Sequence, residues 1–136
     1  MKPTRVVLAD DHTMVRKGIR LILERAPGIE VVGEASNGIE AVDCVIRHDP
    51  DVLVLDMEMP ELDGLGVVRH LAALRPDVRI LVLSAHTDKH FVQGVLEYGV
   101  AGYLAKDEAP EKVVDAIRRV AAGSGGFFSE RVINAV

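Results

Sequence analysis

Short apolar runs alternate with segments of helical spacing along most of the chain, and this alternation constrains the fold more than any other feature. Runs such as Val-Leu-Val-Leu at 52–55 contain no polar residue, which is typical of strands buried on both faces. The segments between the runs carry apolar residues at helical spacing, as at Val15, Ile19 and Ile22. The pattern predicts an α/β domain in which right-handed helical crossovers join parallel strands, with helices on both faces of the sheet.

We predict five strands and five helices from this pattern. The strands are expected at residues 6–9, 29–35, 52–56, 80–83 and 102–105, and the helices at 15–26, 37–48, 65–74, 90–98 and 110–122. Asn37 and Asp63 are predicted to be helix-capping or turn residues. Residues 1–122 would then form one domain, and residues 123–136 a Gly-rich hinge followed by the start of another helix.

Composition excludes some classes of protein. A membrane span needs about 18 or more apolar residues in succession, and no stretch approaches that length, so we expect a cytoplasmic protein without a membrane partner. The formal charge of −5 opposes non-specific attraction to nucleic-acid phosphates. The single cysteine, Cys44, lies in a helical apolar pattern and is predicted to be a core residue.

Polar and charged residues follow four of the predicted strands. Asp10 and Asp11 follow the first strand, Asp56 ends the third, Ser84 follows the fourth and Lys106 follows the fifth. Because the carboxyl ends of parallel strands meet at one edge of the sheet, these side chains are expected to converge. Two carboxylates about 4 Å apart repel by roughly 4 kcal/mol at an effective dielectric of 20, so a positive group must offset their charge.

The strand-end residues, together with Met59-Pro60, Asp63-Gly64, Ser84-Ala85 and Gly102-Tyr103-Leu104-Ala105-Lys106, resemble the receiver domain of two-component response regulators. The resemblance extends from Arg5 to Ala122. It implies a flavodoxin-like, doubly wound fold with a five-stranded parallel sheet in the order 2-1-3-4-5. Residues 35–38 and 102–107 are most similar to the NarL/FixJ (LuxR-type) branch, whose receivers precede a helix-turn-helix DNA-binding domain.

The resemblance also implies that a sensor histidine kinase phosphorylates Asp56 in a reaction that depends on Mg²⁺. Asp11 and Asp56 would bind the ion directly, Asp10 would bind it through water, and the main-chain carbonyl of Glu58 would be a further ligand. An octahedral set of oxygen ligands suits Mg²⁺, and Mn²⁺ is expected to substitute for it. The domain would catalyse only its own phosphorylation and slow autodephosphorylation.

Further residues receive roles from the same resemblance. Lys106 would pair with a phosphoryl oxygen, and the Ser84 hydroxyl would donate to another. Ser84 and Tyr103 would form the conformational switch, with the Tyr103 ring turning inward on phosphorylation. The side chains of Glu58 and His86 would tune the lifetime of the phosphoryl group. Asp107 stands where many family members have proline, which leaves open whether the preceding peptide bond is cis.

We expect three kinds of partner. Met14, Val15 and Gly18 in the first helix are predicted to contact the kinase. Charged residues of both signs on the last helix are predicted to support a homodimer that phosphorylation favours: Glu111, Lys112, Asp115, Arg118 and Arg119. DNA would be bound only through a C-terminal domain beyond these 136 residues.

Three other readings of the residues remain open at this level. A phosphohydrolase of the haloacid dehalogenase type also uses a strand-end aspartate, but it needs a second aspartate where this chain has Glu58. A flavin-binding flavodoxin would need amides and hydroxyls in the first loop, which instead begins Asp10-Asp11. The third reading is a receiver that acts only as a phosphorylation-independent interaction module. His12 is predicted to lie on the loop surface.

Overall fold

The computed structural model describes residues 2–75, 77–123 and 126–134. The elements in chain order are β1 (Thr4–Ala9), α1 (Thr13–Glu24), β2 (Ile29–Ala35), α2 (Gly38–His48), β3 (Val52–Asp56), α3 (Gly64–Leu74), β4 (Arg79–Ser84), α4 (Lys89–Leu96), β5 (Gly102–Ala105), a 3₁₀ turn (Lys106–Glu108), α5 (Ala109–Ala122), β6 (Phe127–Phe128) and α6 (Glu130–Asn134). The predicted alternation of strands and helices is therefore confirmed from β1 to α5.

The strands form one parallel sheet in the order β2-β1-β3-β4-β5-β6, with an apolar layer on each face. Alternate residues of a strand point to opposite faces, so that Leu53 and Leu55 pack towards α2, α3 and α4, whereas Val52 and Val54 pack towards α1 and α5. All four side chains are fully buried. The runs contain no polar residue because both faces of the sheet are covered.

The prediction of five strands and five helices is wrong, because the described residues alone form six strands and six α-helices. The additional strand β6 pairs in parallel with β5, with Phe127 beside Gly102 and Phe128 beside Tyr103. A two-residue strand has no periodicity to detect, and its glycine-rich surroundings predicted a hinge. Ser124 and Gly125 of that predicted hinge lie outside the described residues. The order of the first five strands agrees with the order that the resemblance implied.

Local predictions about helix starts and the core agree with the structure. The Asn37 side chain accepts a hydrogen bond from the Glu40 amide, and the Asp63 side chain accepts one from the Gly66 amide, so both residues cap helices. Cys44 is buried in the core. Among the helices that the structure describes, none combines the length and the apolar character needed to cross a bilayer.

Candidate functional site

The candidate site lies at the carboxyl edge of the sheet, where β1, β3, β4 and β5 end. The side chains of Asp10, Asp56 and Ser84 are completely buried there. Asp56 belongs to β3 itself, and Ser84 is the last residue of β4, so the same apolar runs that build the core also fix these polar groups. The predicted convergence of strand-end residues is therefore present in the structure.

Lys106 contributes the positive charge that the cluster requires. Its Nζ atom donates to Asp56 Oδ2 at 3.1 Å and to Asp10 Oδ1 at 3.4 Å. The lysine begins the 3₁₀ turn that directly follows β5, which points its side chain across the strand ends. The peptide bond between Lys106 and Asp107 is trans, as are the others in the described residues.

The charges in the pocket perturb one another. Burial, followed by the charge of Asp10, raises the pKa of Asp56 from 3.8 to about 6, although the hydrogen bond and charge of Lys106 act in the opposite direction. Burial lowers the pKa of Lys106, but the hydrogen bond and charge of Asp56, with those of Asp10, outweigh it, so the pKa of Lys106 is raised overall. The pocket thus holds more negative charge than one lysine neutralises.

A cation fits the donor atoms of this cluster. Donor atoms of Asp10, Asp11, His12 and Asp56 all lie within 4.8 Å of one another. Asp10 Oδ2 is buried and has no hydrogen-bond partner among the described residues, which leaves a charged oxygen unsatisfied. A bound ion would satisfy that oxygen and would reduce the repulsion between the carboxylates.

His12 lies on the loop surface, as predicted, and it also belongs to the charged cluster. Its side chain is 59% exposed, as a loop residue should be, yet Nδ1 lies 2.8 Å from Lys106 Nζ and 3.3 Å from oxygens of Asp10 and Asp11. The His12 amide also donates to Asp10 Oδ1 at 2.8 Å. Its position directly after the acidic pair was the available signal, because a residue that close to two strand-end carboxylates can reach the same pocket.

The side chains of Ser84, Glu58 and His86 meet at the rim of the pocket. Ser84 Oγ donates to Glu58 Oε1 at 3.1 Å and accepts from the His86 amide at 2.9 Å. His86 Nε2 lies 3.4 Å from the same Glu58 oxygen. The Glu58 amide donates to Asp56 Oδ1 at 3.2 Å, so this loop is tied to the central aspartate by its main chain as well.

Tyr103 is already buried in this structure. Its ring has no exposed surface, and its hydroxyl donates to the main-chain oxygen of His86 at 2.6 Å. Burial raises the pKa of Tyr103 to about 12, so the hydroxyl remains a donor at neutral pH. The ring therefore has the inward arrangement that the sequence analysis associated with phosphorylation, and it is bonded to the loop that follows Ser84.

A groove of about 700 Å³ opens beside the pocket, between α1 and the segment that follows β5. Its walls include Met14, Val15 and Gly18 of α1, with Lys106 on the opposite side. Met14 is 83% exposed. The residues that we predicted to contact a kinase therefore line one surface, and that surface leads to the charged cluster.

Comparison with known proteins decides the family. The sequence matches the response regulator receiver domain family over residues 6–118. This chain belongs to that family. UvrY, a response regulator of Escherichia coli, is 48% identical over 125 residues, which are 92% of this chain and 57% of UvrY. The receiver therefore spans little more than half the length of this relative.

Solved structures give the same answer. A LuxR-family two-component response regulator from Aurantimonas sp. SI85-9A1 has a TM-score of 0.91 and 33% identity, covering 98% of this receiver and 95% of that chain. RcsB of Salmonella typhimurium, described in the context of DNA interaction, has a TM-score of 0.91 and 28% identity, covering 99% of this receiver and 67% of that chain. RcsB has also been solved as two dimers bound to two parallel DNAs. These matches place the receiver among LuxR/NarL-type response regulators.

Proposed function

We propose that Asp56 is the phosphoacceptor of this receiver and that the phosphoryl donor is a phosphohistidine of a sensor kinase. An Asp56 carboxylate oxygen attacks the phosphorus atom, an O–P bond forms, the N–P bond of the donor breaks, and the histidine nitrogen takes up a proton as it leaves. The product is an acyl phosphate on Asp56. One observation carries the proposal: Asp56 is a buried carboxylate that accepts a hydrogen bond from Lys106 and lies beside the buried carboxylate of Asp10.

The surrounding side chains have defined tasks in this transfer. Lys106 orients Asp56 before the reaction and pairs with a phosphoryl oxygen afterwards, since its ammonium already lies at the reacting carboxylate. The Ser84 hydroxyl donates to another phosphoryl oxygen after releasing Glu58. Asp11 and Asp56 would hold Mg²⁺ directly, with Asp10 through water and the Glu58 carbonyl as further ligands. When bound, the ion would offset negative charge on the transferred group.

The same residues set the lifetime of the product and its effect on the fold. Glu58 and His86 lie at the rim, where their side chains control how water approaches the acyl phosphate. Movement of Ser84 towards the phosphoryl group would disturb the loop to which the Tyr103 hydroxyl is bonded. Phosphorylation would then favour the inward Tyr103 ring, because the phosphorylated pocket interacts more favourably with the loop arrangement that accompanies the inward ring than with the one that accompanies the outward ring.

The groove beside α1 is the proposed docking surface for the kinase. Met14 and Val15 offer exposed apolar area, and Gly18 leaves open space because nothing lies within 4 Å of where its side chain would be. A helix of the kinase domain that carries the phosphohistidine would fit between this face and Lys106. The donor would thereby be delivered to the mouth of the pocket.

The DNA-binding function that phosphorylation would control is proposed to lie in a domain outside the described residues. UvrY is longer than this chain, and RcsB is known as dimers on DNA. We infer that residues 1–122 are the phosphoacceptor unit and that residues 123–136 lead to a DNA-binding domain. Phosphorylation would favour a homodimer and so present paired DNA-binding domains to paired half-sites.

Mass spectrometry of the intact protein tests this function. The protein would be incubated with acetyl phosphate, with and without Mg²⁺, at a pH above the pKa of Asp56. We expect the mass to increase by one phosphoryl group only when Mg²⁺ is present. An unchanged mass under both conditions would refute the proposed phosphoacceptor function.

A further inference from the structure

The segment from Gly126 to Asn134 is fitted closely onto β5. The Phe127 amide donates to the Ala101 oxygen at 3.1 Å. A Cβ atom on Gly102 would lie 2.7 Å from the Phe127 oxygen, and one on Gly126 would lie 2.2 Å from the Ala101 oxygen. Side chains cannot be accommodated at such distances. Close docking of the segment on β5 therefore requires glycine at position 102 of β5 and at position 126 of the segment.

Apolar packing joins the segment to Tyr103. Val132 of α6 is 1% exposed and belongs to the same apolar cluster as Tyr103. Phe128 stands beside Tyr103 on the neighbouring strand and packs against that cluster. Phe128 and Val132 thus cover the apolar cluster around the Tyr103 ring, with Phe128 on the edge of β5 that faces away from β4. The docked segment and the buried ring therefore depend on each other.

A chain of hydrogen bonds runs from the pocket to the segment through Tyr103. Ser84 Oγ accepts from the His86 amide, and the His86 oxygen accepts from the Tyr103 hydroxyl. The main-chain oxygen of Tyr103 in turn accepts a hydrogen bond from the Ser129 amide at 3.2 Å. Each bond connects a different element, so a displacement of the loop after Ser84 changes both the ring and the strand edge on which the segment docks.

A second connection starts at Lys106. The residue after it, Asp107, accepts a hydrogen bond from Arg131 Nη1 of α6 at 2.7 Å. Burial raises the pKa of Glu108, but hydrogen bonds, among them those from Lys112 and the Ala105 amide, outweigh it and lower the pKa overall. The 3₁₀ turn that carries Lys106 is therefore also joined to α6 of the docked segment.

We propose that residues 126–134 form a latch, which docks on β5 only while the Tyr103 ring is buried and so couples the end of the receiver to the phosphoacceptor pocket. The inference rests on the proposed function in one respect, namely that a phosphoryl group on Asp56 favours the inward ring. Binding free energies are reciprocal, so BeF₃⁻, which takes the place of a phosphoryl group, stabilises the docked latch by the same factor by which the docked latch strengthens BeF₃⁻ binding. The two-state element is the latch itself, docked or undocked.

Two substitutions at different places in the latch test the proposal. Val132→Ala removes buried side-chain volume from α6, and Ile133→Ala is its matched control, because Ile133 is the next residue and is 58% exposed. Gly126→Ala introduces the clash with the Ala101 oxygen. Gly28→Ala is its matched control, since Gly28 has nearly the same φ, +80° against +78°, and open space around it.

Three measurements read out each variant. Amide hydrogen exchange at Phe127 and Ser129 reports docking, the ¹⁹F resonance of fluorotyrosine at Tyr103 reports ring burial, and titration with BeF₃⁻ and Mg²⁺ reports the pocket. We expect Val132→Ala and Gly126→Ala to speed exchange roughly tenfold or more, to shift the Tyr103 resonance towards that of the more exposed Tyr98, and to weaken BeF₃⁻ binding by roughly threefold to tenfold. Both controls should behave like the wild type.

Different failures overturn different claims. If exchange accelerates but the Tyr103 resonance or the BeF₃⁻ affinity stays within twofold of the wild type, the latch is not coupled to the switch. If neither substitution accelerates exchange more than its control does, the latch does not exist. If the wild type binds no BeF₃⁻ at all, the proposed phosphoacceptor function fails, and exchange together with the Tyr103 resonance still decides whether the latch holds the ring.

Discussion

Lys106 Nζ lies 3.1 Å from Asp56 Oδ2, although the two residues are 50 positions apart in the sequence. The contact exists because β3 and β5 end at the same edge of the sheet, on either side of β4. Asp10 shares the same ammonium at 3.4 Å. One lysine therefore serves two buried carboxylates, and the excess negative charge favours a cation in the pocket and costs stability without one.

The cost in stability leads to a prediction about pH. Burial and Asp10 raise the pKa of Asp56 to about 6, so the folded state favours the neutral acid more than the unfolded state does. Below pH 3.8 the residue is neutral in both states and carries no penalty, and the penalty grows as the pH rises through about 6. Asp56→Asn, which stays neutral, should therefore raise the free energy of unfolding by roughly 1 to 3 kcal/mol at pH 7.5 and by little near pH 4.

Urea unfolding in the presence of a chelator measures this difference without interference from metal ions. Asp43→Asn is the control, because Asp43 is an exposed carboxylate paired with Arg47 and such pairs contribute roughly 0 to 1 kcal/mol. An Asp56→Asn gain that is the same at pH 4 and pH 7.5 would show that the burial of charge is not its cause.

A second prediction concerns Mg²⁺. Asp11→Ala removes a proposed direct ligand, so the affinity for Mg²⁺ should fall by about tenfold or more, which corresponds to about 1.4 kcal/mol. The chain has no tryptophan, and calorimetry is therefore the suitable measurement. Asp43→Ala should leave the affinity unchanged. Equal affinities for Asp11→Ala and the wild type would remove Asp11 from the ligand set.

His12 should distinguish transition metals from Mg²⁺. Its Nδ1 atom lies 3.3 Å from an Asp11 oxygen and 3.9 Å from Asp56 Oδ2, close to the separation of about 3.4 Å between ligands that bind one ion at about 2.1 Å in a tetrahedral site. Imidazole suits Ni²⁺, whereas Mg²⁺ prefers oxygen, and the two distances also lie between the separations of about 3.0 Å for adjacent and about 4.2 Å for opposite ligands in a square-planar or octahedral Ni²⁺ site. His12→Ala should therefore weaken Ni²⁺ binding by about tenfold and leave Mg²⁺ binding nearly unchanged.

His90→Ala is the matched control for that comparison, since His90 is exposed on α4 and lies outside the cluster. Calorimetric titrations of both variants with both metals would give four affinities. A His12→Ala variant with undiminished Ni²⁺ affinity, or with an equal loss for Mg²⁺, would contradict the role of the imidazole.

The sequence predicted the structure best where a polar residue directly follows a continuous apolar run. Val52 to Leu55 had to be a doubly buried strand, and Asp56 at its end had to reach the pocket edge. A continuous apolar run of this kind, with Asp51 before it and Asp56 after it, carries that information. The order of the strands came from the resemblance to a family, because the runs themselves do not state which strands are neighbours.

What the sequence did not reveal depends on contacts between distant segments. β6 is two residues long and is defined by its pairing with β5 and by the fit of Gly102 and Gly126, neither of which is local. His12 is polar and exposed, so its pattern is that of a loop residue, and its contacts with Lys106 and Asp56, which are distant in sequence, exist only in the folded chain. Long-range geometry, and not propensity, decided both cases.

The central claim is that Asp56 alone accepts the phosphoryl group, and residue-specific labelling tests it most directly. Wild type, Asp56→Asn and Asp63→Asn would be treated with acetyl phosphate and Mg²⁺, and their intact masses compared. Asp63 is the control because it is an aspartate of the following loop that caps α3. We predict one phosphoryl group on the wild type and on Asp63→Asn, and none on Asp56→Asn; labelling of Asp56→Asn to the level of the wild type would contradict the account.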